Sequence, residues 1–371
     1  MFRIIAGILV AFILSIAVLI YFGLYAVFRA VLYNTNERKS GHVPLPTGEG
    51  YDQHQESMQE LVDLMKEIPY EEVRVRSFDN LTLYGRYYEV KKGAPLQIQF
   101  HGYRGEAIRD MAGGNRVARE HGQNTLVVDQ RAHGKSGGNV TTFGVKERQD
   151  CLTWARYAAK RFGMQTPVIL SGVSMGAATV LMAADLKLPD NVVGIIADCG
   201  YTSPEAIVRD VGRARRYPEG AVWWLVKTGA KLLGHVDLAS CGAISSIRKS
   251  RVPVLLIHGD ADRYVPVRMS RELYEAAEEA GVPVRLEIFR GGAHGISYLT
   301  DVPRYTDLEM EFTSGLMKRY IREYSGEKEP ERKNRREERY DTGTEKNSGG
   351  AGCEPGADPR RGEIPGDLYR R

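Results

Sequence analysis

From residue 71 to residue 325 the chain repeats one alternation, a short apolar β-rich run followed by a segment with helical spacing. No other feature narrows the fold as much. Six runs, Leu96–Phe100, Thr125–Asp129, Pro167–Ser171, Val192–Asp198, Pro253–His258 and Val284–Phe289, are short, and several are continuously apolar, as strands buried on both faces must be. Helical patterns over Ala107–His121, Lys146–Phe162, Met175–Lys187, Arg268–Ala280 and Pro303–Tyr324 separate or follow them. Ahead of the series, Glu72–Phe78 and Leu81–Glu89 alternate around Asp79-Asn80, the pattern of a hairpin. The order predicts an α/β fold, a mainly parallel sheet with helices on both faces. One interval breaks the rhythm. Tyr201–Arg251 carries Trp223-Trp224 and reads as a small helical cap over about residues 201–250, the alternative being a longer crossover with core tryptophans.

The two ends obey different physics. Ile4–Phe28 is a run of 25 residues without a charge, flanked by Arg3 and Arg29. At ~1.5 Å per residue it spans a ~30 Å hydrocarbon core. It is too long for a signal-peptide core and lacks a small-residue cleavage site, while Tyr21, Phe22, Tyr25 and Phe28 gather at its end like an interfacial belt. Residues 1–33 are therefore expected to form an uncleaved transmembrane anchor in the cell membrane. A lone anchor of this kind leaves its short tail in the cytoplasm and the folded body outside. Residues 34–70 read as a linker and lead-in helix, and residues 71–325 as the folded domain. Residues 326–371, with 11 acidic and 11 basic side chains, cannot bury enough apolar surface to order and are expected to be a disordered tail. A net charge of +4 over 371 residues argues against a nucleic-acid partner. The four cysteines, Cys151, Cys199, Cys241 and Cys353, form no CxxC pair. No His, Cys or carboxylate spacing resembles a metal-ligand set, and no cofactor is expected.

The chemistry is concentrated at Gly172-Val-Ser174-Met-Gly176. A G-x-S-x-G motif alone is weak, and Gly134-Lys-Ser136-Gly-Gly138 matches it too. Only the first has a strand directly before it and a helix directly after it, the context that projects a serine from a sharp turn. Ser174 is the candidate nucleophile and Ser136 a loop serine. A serine needs a base to take its proton. His294, in the glycine loop Gly291–Gly295 after the last strand, is placed to supply it. His101, His133 and His258 read as structural hydrogen-bonding residues, and His42, His54, His121 and His235 lack supporting context. The base needs a carboxylate to hold its tautomer. His258-Gly-Asp260-Ala-Asp262 offers two, of which Asp262 sits in the loop proper and Asp260 is the alternative. For the developing oxyanion, the backbone N–H of Met175 at the helix start is one donor. The N–H of Tyr103, in His101-Gly-Tyr103-Arg-Gly105, is the other, with Arg104 next.

With these residues in order, the body from Val73 to Tyr324 resembles the α/β-hydrolase superfamily. Within it, the chain looks most like the anchored or exported bacterial hydrolases of the serine-aminopeptidase and lysophospholipase-like group, a likeness to which Ala197–Ser203 adds. The resemblance implies an α/β-hydrolase fold with the cap after the sixth strand. The residues together predict a serine hydrolase acting on small-molecule or lipid esters, or thioesters, through an acyl-enzyme. A peptidase or amidase on small peptides is the alternative, and a catalytically silent scaffold is the reading from another class.

Overall fold

A computed structural model describes residues 2–35 and 43–325; the predicted tail at 326–371 lies outside the described residues. The eight strands are β1 (Glu71–Arg76), β2 (Thr82–Tyr88), β3 (Leu96–Phe100), β4 (Asn124–Asp129), β5 (Val168–Val173), β6 (Val192–Asp198), β7 (Val254–Gly259) and β8 (Val284–Phe289). They form one sheet in the order β1-β2-β4-β3-β5-β6-β7-β8. The β1/β2 and β2/β4 pairs are antiparallel and the other five are parallel. The hairpin turns at Asn80, which takes the left-handed backbone (φ 66°) that Asn tolerates better than most residues.

Period-two alternation divides the sheet's side chains between two cores. Val168 and Leu170 of β5, with Val254 and Leu256 of β7, join one apolar cluster; Ile169, Leu255 and Ile257 point through the sheet into the other. Helices α2 (Gln55–Glu67), α3 (Ala107–Glu120), the short α10 (Ser297–Thr300) and α11 (Val302–Ser325) supply the second cluster. Helices α4 (Glu147–Phe162), α5 (Met175–Ala183) and α9 (Arg268–Glu279) supply the first. All nine residues of α5 are buried. Its alanine-rich run lets it lie close on the central strands, and it stops short of the predicted Lys187, ahead of Pro189.

Between β6 and β7 the chain leaves the sheet for α6 (Pro204–Ala214), α7 (Glu219–Leu233) and α8 (Ala243–Ile247). Ser203 caps α6, its Oγ accepting the Ala206 N–H at 3.1 Å, with Pro204 at the first helical position. Of the paired tryptophans, Trp223 is buried and Trp224 exposed. The N-terminal helix α1 (Phe2–Val31) is long and apolar enough to cross a membrane. Its last turns pack against α7, and Phe28 and Leu32 belong to the same core as the sheet.

Candidate active site

Ser174 stands between β5 and α5 with φ 55° and ψ −115°, a backbone a side-chain-bearing residue adopts only when its surroundings impose it. The glycines on either side make the turn possible. A methyl group on Gly172 would lie 2.3 Å from the Gly176 carbonyl carbon, and one on Gly176 only 1.9 Å from the Phe100 carbonyl oxygen. The Ser174 N–H donates to the Asp198 carbonyl at 2.8 Å, which ties the turn to β6.

The structure brings the three predicted side chains together. Ser174 Oγ lies 2.8 Å from His294 Nε2, and His294 Nδ1 lies 2.6 Å from Asp262 Oδ2. The other Asp262 oxygen accepts the Tyr264 and Val265 N–H groups, both at 2.8 Å. With Nδ1 facing a carboxylate, Nδ1 carries the proton and Nε2 is left to accept from the serine. Burial works to raise the Asp262 carboxyl, but His294 and His258 outweigh it and hold it well below the ordinary carboxylate range. Burial likewise works against charge on His294, yet the Asp262 carboxylate raises the imidazole well above its ordinary value. Asp260, the alternative acid, is exposed and instead accepts the Gly291 N–H at 2.6 Å, pinning the glycine loop that carries His294.

Of the other histidines, His133 and His101 are tied into the scaffold. His133 Nε2 accepts the Arg104 N–H at 3.0 Å while Nδ1 meets the Arg131 carbonyl at 2.8 Å; burial pushes the ring down to about 3, so it stays neutral. His101 accepts the Gln130 N–H at 3.0 Å and faces the Gly102 carbonyl at 2.8 Å. Because the Arg104 N–H is engaged by His133, Arg104 drops out as an oxyanion donor. Met175 opens α5, where an N–H has no carbonyl four residues back within the helix. Tyr103 stands in the loop after β3, its ring stacked on Phe143 with centroids 5.2 Å apart. Asp110 accepts the Gly102 N–H at 2.9 Å and fills the space beside Gly105, where a methyl group would collide with it. Ser136 is fully buried, its Oγ donating to the Asp129 carbonyl at 2.5 Å and accepting the Tyr84 N–H at 2.9 Å.

Three features are absent from the sequence reading. His258, expected to be purely structural, sits 3.2 Å from Asp262 Oδ2, a contact signalled by its four-residue spacing from that aspartate. Tyr51 donates its hydroxyl to the His294 carbonyl at 2.9 Å, across 243 positions of sequence. Cys199 is buried beside His294 with a left-handed backbone (φ 48°), and burial pushes its thiol up to about 11. Ligand atoms of Cys199, Asp262 and His294 lie within 4.8 Å of one another. That set suits a metal poorly, because the thiol stays protonated at neutral pH and the carboxylate and imidazole are already bonded to each other.

A cavity of about 1090 Å³ opens onto Ser174 and His294. Leu45, Tyr51 and Met58 of the lead-in segment line it, together with Met111, Tyr298 and Leu299. The α6–α8 excursion contributes no lining residue.

Comparison with solved structures matches this architecture. An esterase of Pyrococcus furiosus aligns over 74% of this chain and 98% of its own, at 21% identity and a TM-score of 0.55. Est1E of Butyrivibrio proteoclasticus, solved with ferulic acid bound, aligns over 66% and 99%, at 21% identity and a TM-score of 0.52. The chain has the α/β-hydrolase fold. A family model, that of the prolyl oligopeptidase family, matches residues 139–319. Among curated relatives, YqkD of Bacillus subtilis is 30% identical over 196 residues, which is 53% of this chain and 63% of that protein. YfhR of Escherichia coli is 26% identical over 176 residues, 47% of this chain and 54% of that protein. The chain thus spans less than two thirds of the length of either relative.

Proposed function

We propose that the chain is a membrane-anchored serine hydrolase that cleaves carboxylic esters or thioesters through an acyl-enzyme. One observation carries the reading: the hydrogen-bonded series Ser174–His294–Asp262, with the serine on a strained turn at the mouth of a partly apolar cavity. Ser174 Oγ attacks the substrate carbonyl as its proton passes to His294 Nε2. Asp262 holds the imidazolium, which then protonates the departing alkoxide or thiolate. Water, activated by the same imidazole, attacks the acyl-enzyme and releases the acid and free Ser174. The N–H groups of Met175 and Tyr103 are the proposed oxyanion donors, and losing one such donor costs about 3 kcal/mol of transition-state stabilisation.

A second reading, a peptidase or amidase with the same series, is favoured by the prolyl oligopeptidase family match over residues 139–319. Turnover of aryl esters of increasing acyl length, set against aminoacyl amides, separates the two. The test of the common mechanism is labelling by a fluorophosphonate probe. Wild type is expected to label and Ser174→Ala to remain unlabelled; labelling of the variant, or silence of the wild type, refutes it and leaves the scaffold reading.

Helix α1 is proposed as the anchor, with the folded body outside the cytoplasm. Its end is built into the domain: the Tyr103 hydroxyl donates to the Val31 carbonyl at 2.6 Å and the Arg104 guanidinium to the Ala30 carbonyl at 2.5 Å. Cleavage as a signal sequence would strip these partners away, which supports retention.

A further inference from the structure

The exposed surface of α1 ends abruptly. Each residue from Phe2 to Phe22 is exposed, 21 positions that at ~1.5 Å each cover about 30 Å, the thickness of a hydrocarbon core. One turn on, Leu24 and Phe28 are buried, and α7 packs on this part of the helix. The approach is close because α7 presents glycine. A methyl group on Gly229 would lie 3.3 Å from the Leu24 carbonyl oxygen and 3.5 Å from Phe28 Cβ. Further along, a methyl group on Gly234 would come within 3.2 Å of the Phe28 ring. Moving along α7 from 229 to 234 therefore moves from Leu24 towards Phe28, away from the apolar rod. The N-terminal half of α7 runs the other way, back towards the level of Tyr21 and Phe22.

That half carries an exposed uncharged stripe. Tyr217, just ahead of the helix, and Ala221 and Trp224 fall on one face by helical spacing, with Tyr217 and Trp224 respectively 58% and 52% exposed. Large apolar side chains in a row on one face call for a covering surface. Tryptophan and tyrosine favour the zone where lipid headgroups meet the acyl chains, because each pairs an apolar ring with one polar atom. The aromatics of α1 at this level, Tyr21, Phe22 and Tyr25, are exposed as well.

We propose that the N-terminal half of α7 is an interfacial anchor, its Tyr217–Trp224 face lying on the phospholipid surface of the same bilayer that α1 crosses. The proposal rests on reading α1 as a membrane anchor. Its occupant is fixed by continuity: the stripe begins beside the point where the exposed, bilayer-long part of α1 stops. The arrangement also sets the height of the active site. The carbonyls of Ala30 and Val31, which hold the oxyanion loop, lie about 10 Å along α1 from Leu24. The cavity mouth is thereby kept near the headgroups, within reach of an acyl ester that stays partitioned in the membrane.

The experiment uses the full chain in phosphatidylcholine vesicles containing a lipid brominated near the headgroup end of its acyl chains. Trp154 and Trp223 are buried, so Trp224 is the tryptophan open to such a quencher. Quenching of the wild-type emission is expected, and its loss in Trp224→Phe. A Phe12→Trp substitution in the Trp224→Phe background reads the anchor separately, with lipid brominated near the chain ends. If Phe12→Trp is quenched while wild-type Trp224 is quenched only by aqueous iodide, the anchor stands and the interfacial helix is refuted. If Phe12→Trp escapes quenching too, the anchor reading falls and takes the inference with it.

Discussion

The serine turn and the lead-in segment meet at the same site and hold it by opposite means. At the turn, backbone packs on backbone: Gly172 and Gly176 leave no room for a single methyl group, the first against the turn itself and the second against the Phe100 carbonyl of β3. The lead-in segment reaches the site from far off in sequence through a few separable contacts. Tyr51 holds the His294 carbonyl, Glu49 pairs with Arg263 at 2.7 Å, and Leu45, Tyr51, Met58, Ala293 and Ile296 share a small apolar cluster. The difference separates an all-or-nothing element from a graded one. Under the proposed mechanism, damage to the first is expected to remove the chemistry, whereas damage to the second should loosen the proposed base without removing it.

The sharpest break falls on the hydrogen-bonded series. Asp262→Asn is expected to lower kcat about 10⁴-fold, since the amide would favour the wrong imidazole tautomer; steady-state turnover of an aryl ester measures it, and a drop below tenfold would exclude the assigned role. The same carboxylate sets the pH dependence. His294 must be neutral to act as base, and Asp262 raises it, so kcat/KM of the wild type should still be climbing with pH above 6.5. In Asp262→Asn the acid limb should move downward, and a limb that stays in place breaks the link between the two residues.

Next comes the turn itself. Gly176→Ala forces a methyl group onto the Phe100 carbonyl and should cost about 3 kcal/mol of stability, measured as a lower urea midpoint at unchanged m. The smallest effect belongs to the lead-in. Tyr51→Phe removes the donor to the His294 carbonyl and should cost about 1 kcal/mol, seen as a few-fold fall in kcat with fluorophosphonate labelling retained. A loss as large as that of Asp262→Asn would erase the distinction between the two regions.

Much of the fold and of the site is legible in the residues alone. The strands announce themselves through short apolar runs, and β3, β6 and β8 begin and end where the sequence predicts. Ser174, Asp262 and His294 are marked by local context, a turn between strand and helix or a loop after a strand, and such context survives without knowledge of the fold. What stays hidden depends on distance. The blockage of the Arg104 N–H by His133 spans 29 positions, and the Tyr51 contact spans 243. The burial of Leu24, Phe28 and Leu32 is not readable from α1, because their apolar character suits a bilayer and a protein core equally. The excursion after β6 shows in the sequence as a break in rhythm, but nothing local to it says that α7 packs on α1.

The burial of those last turns of α1 bears on how a detergent-free form of the protein could be made. The boundary between rod and body falls inside a continuous helix, at Gly23, with no hinge to cut. A chain shortened to begin at residue 34 would discard the carbonyls that hold Tyr103 and Arg104 and leave an open trough along α7. One that begins at Gly23 would keep every buried position of the helix and shed only the exposed stretch.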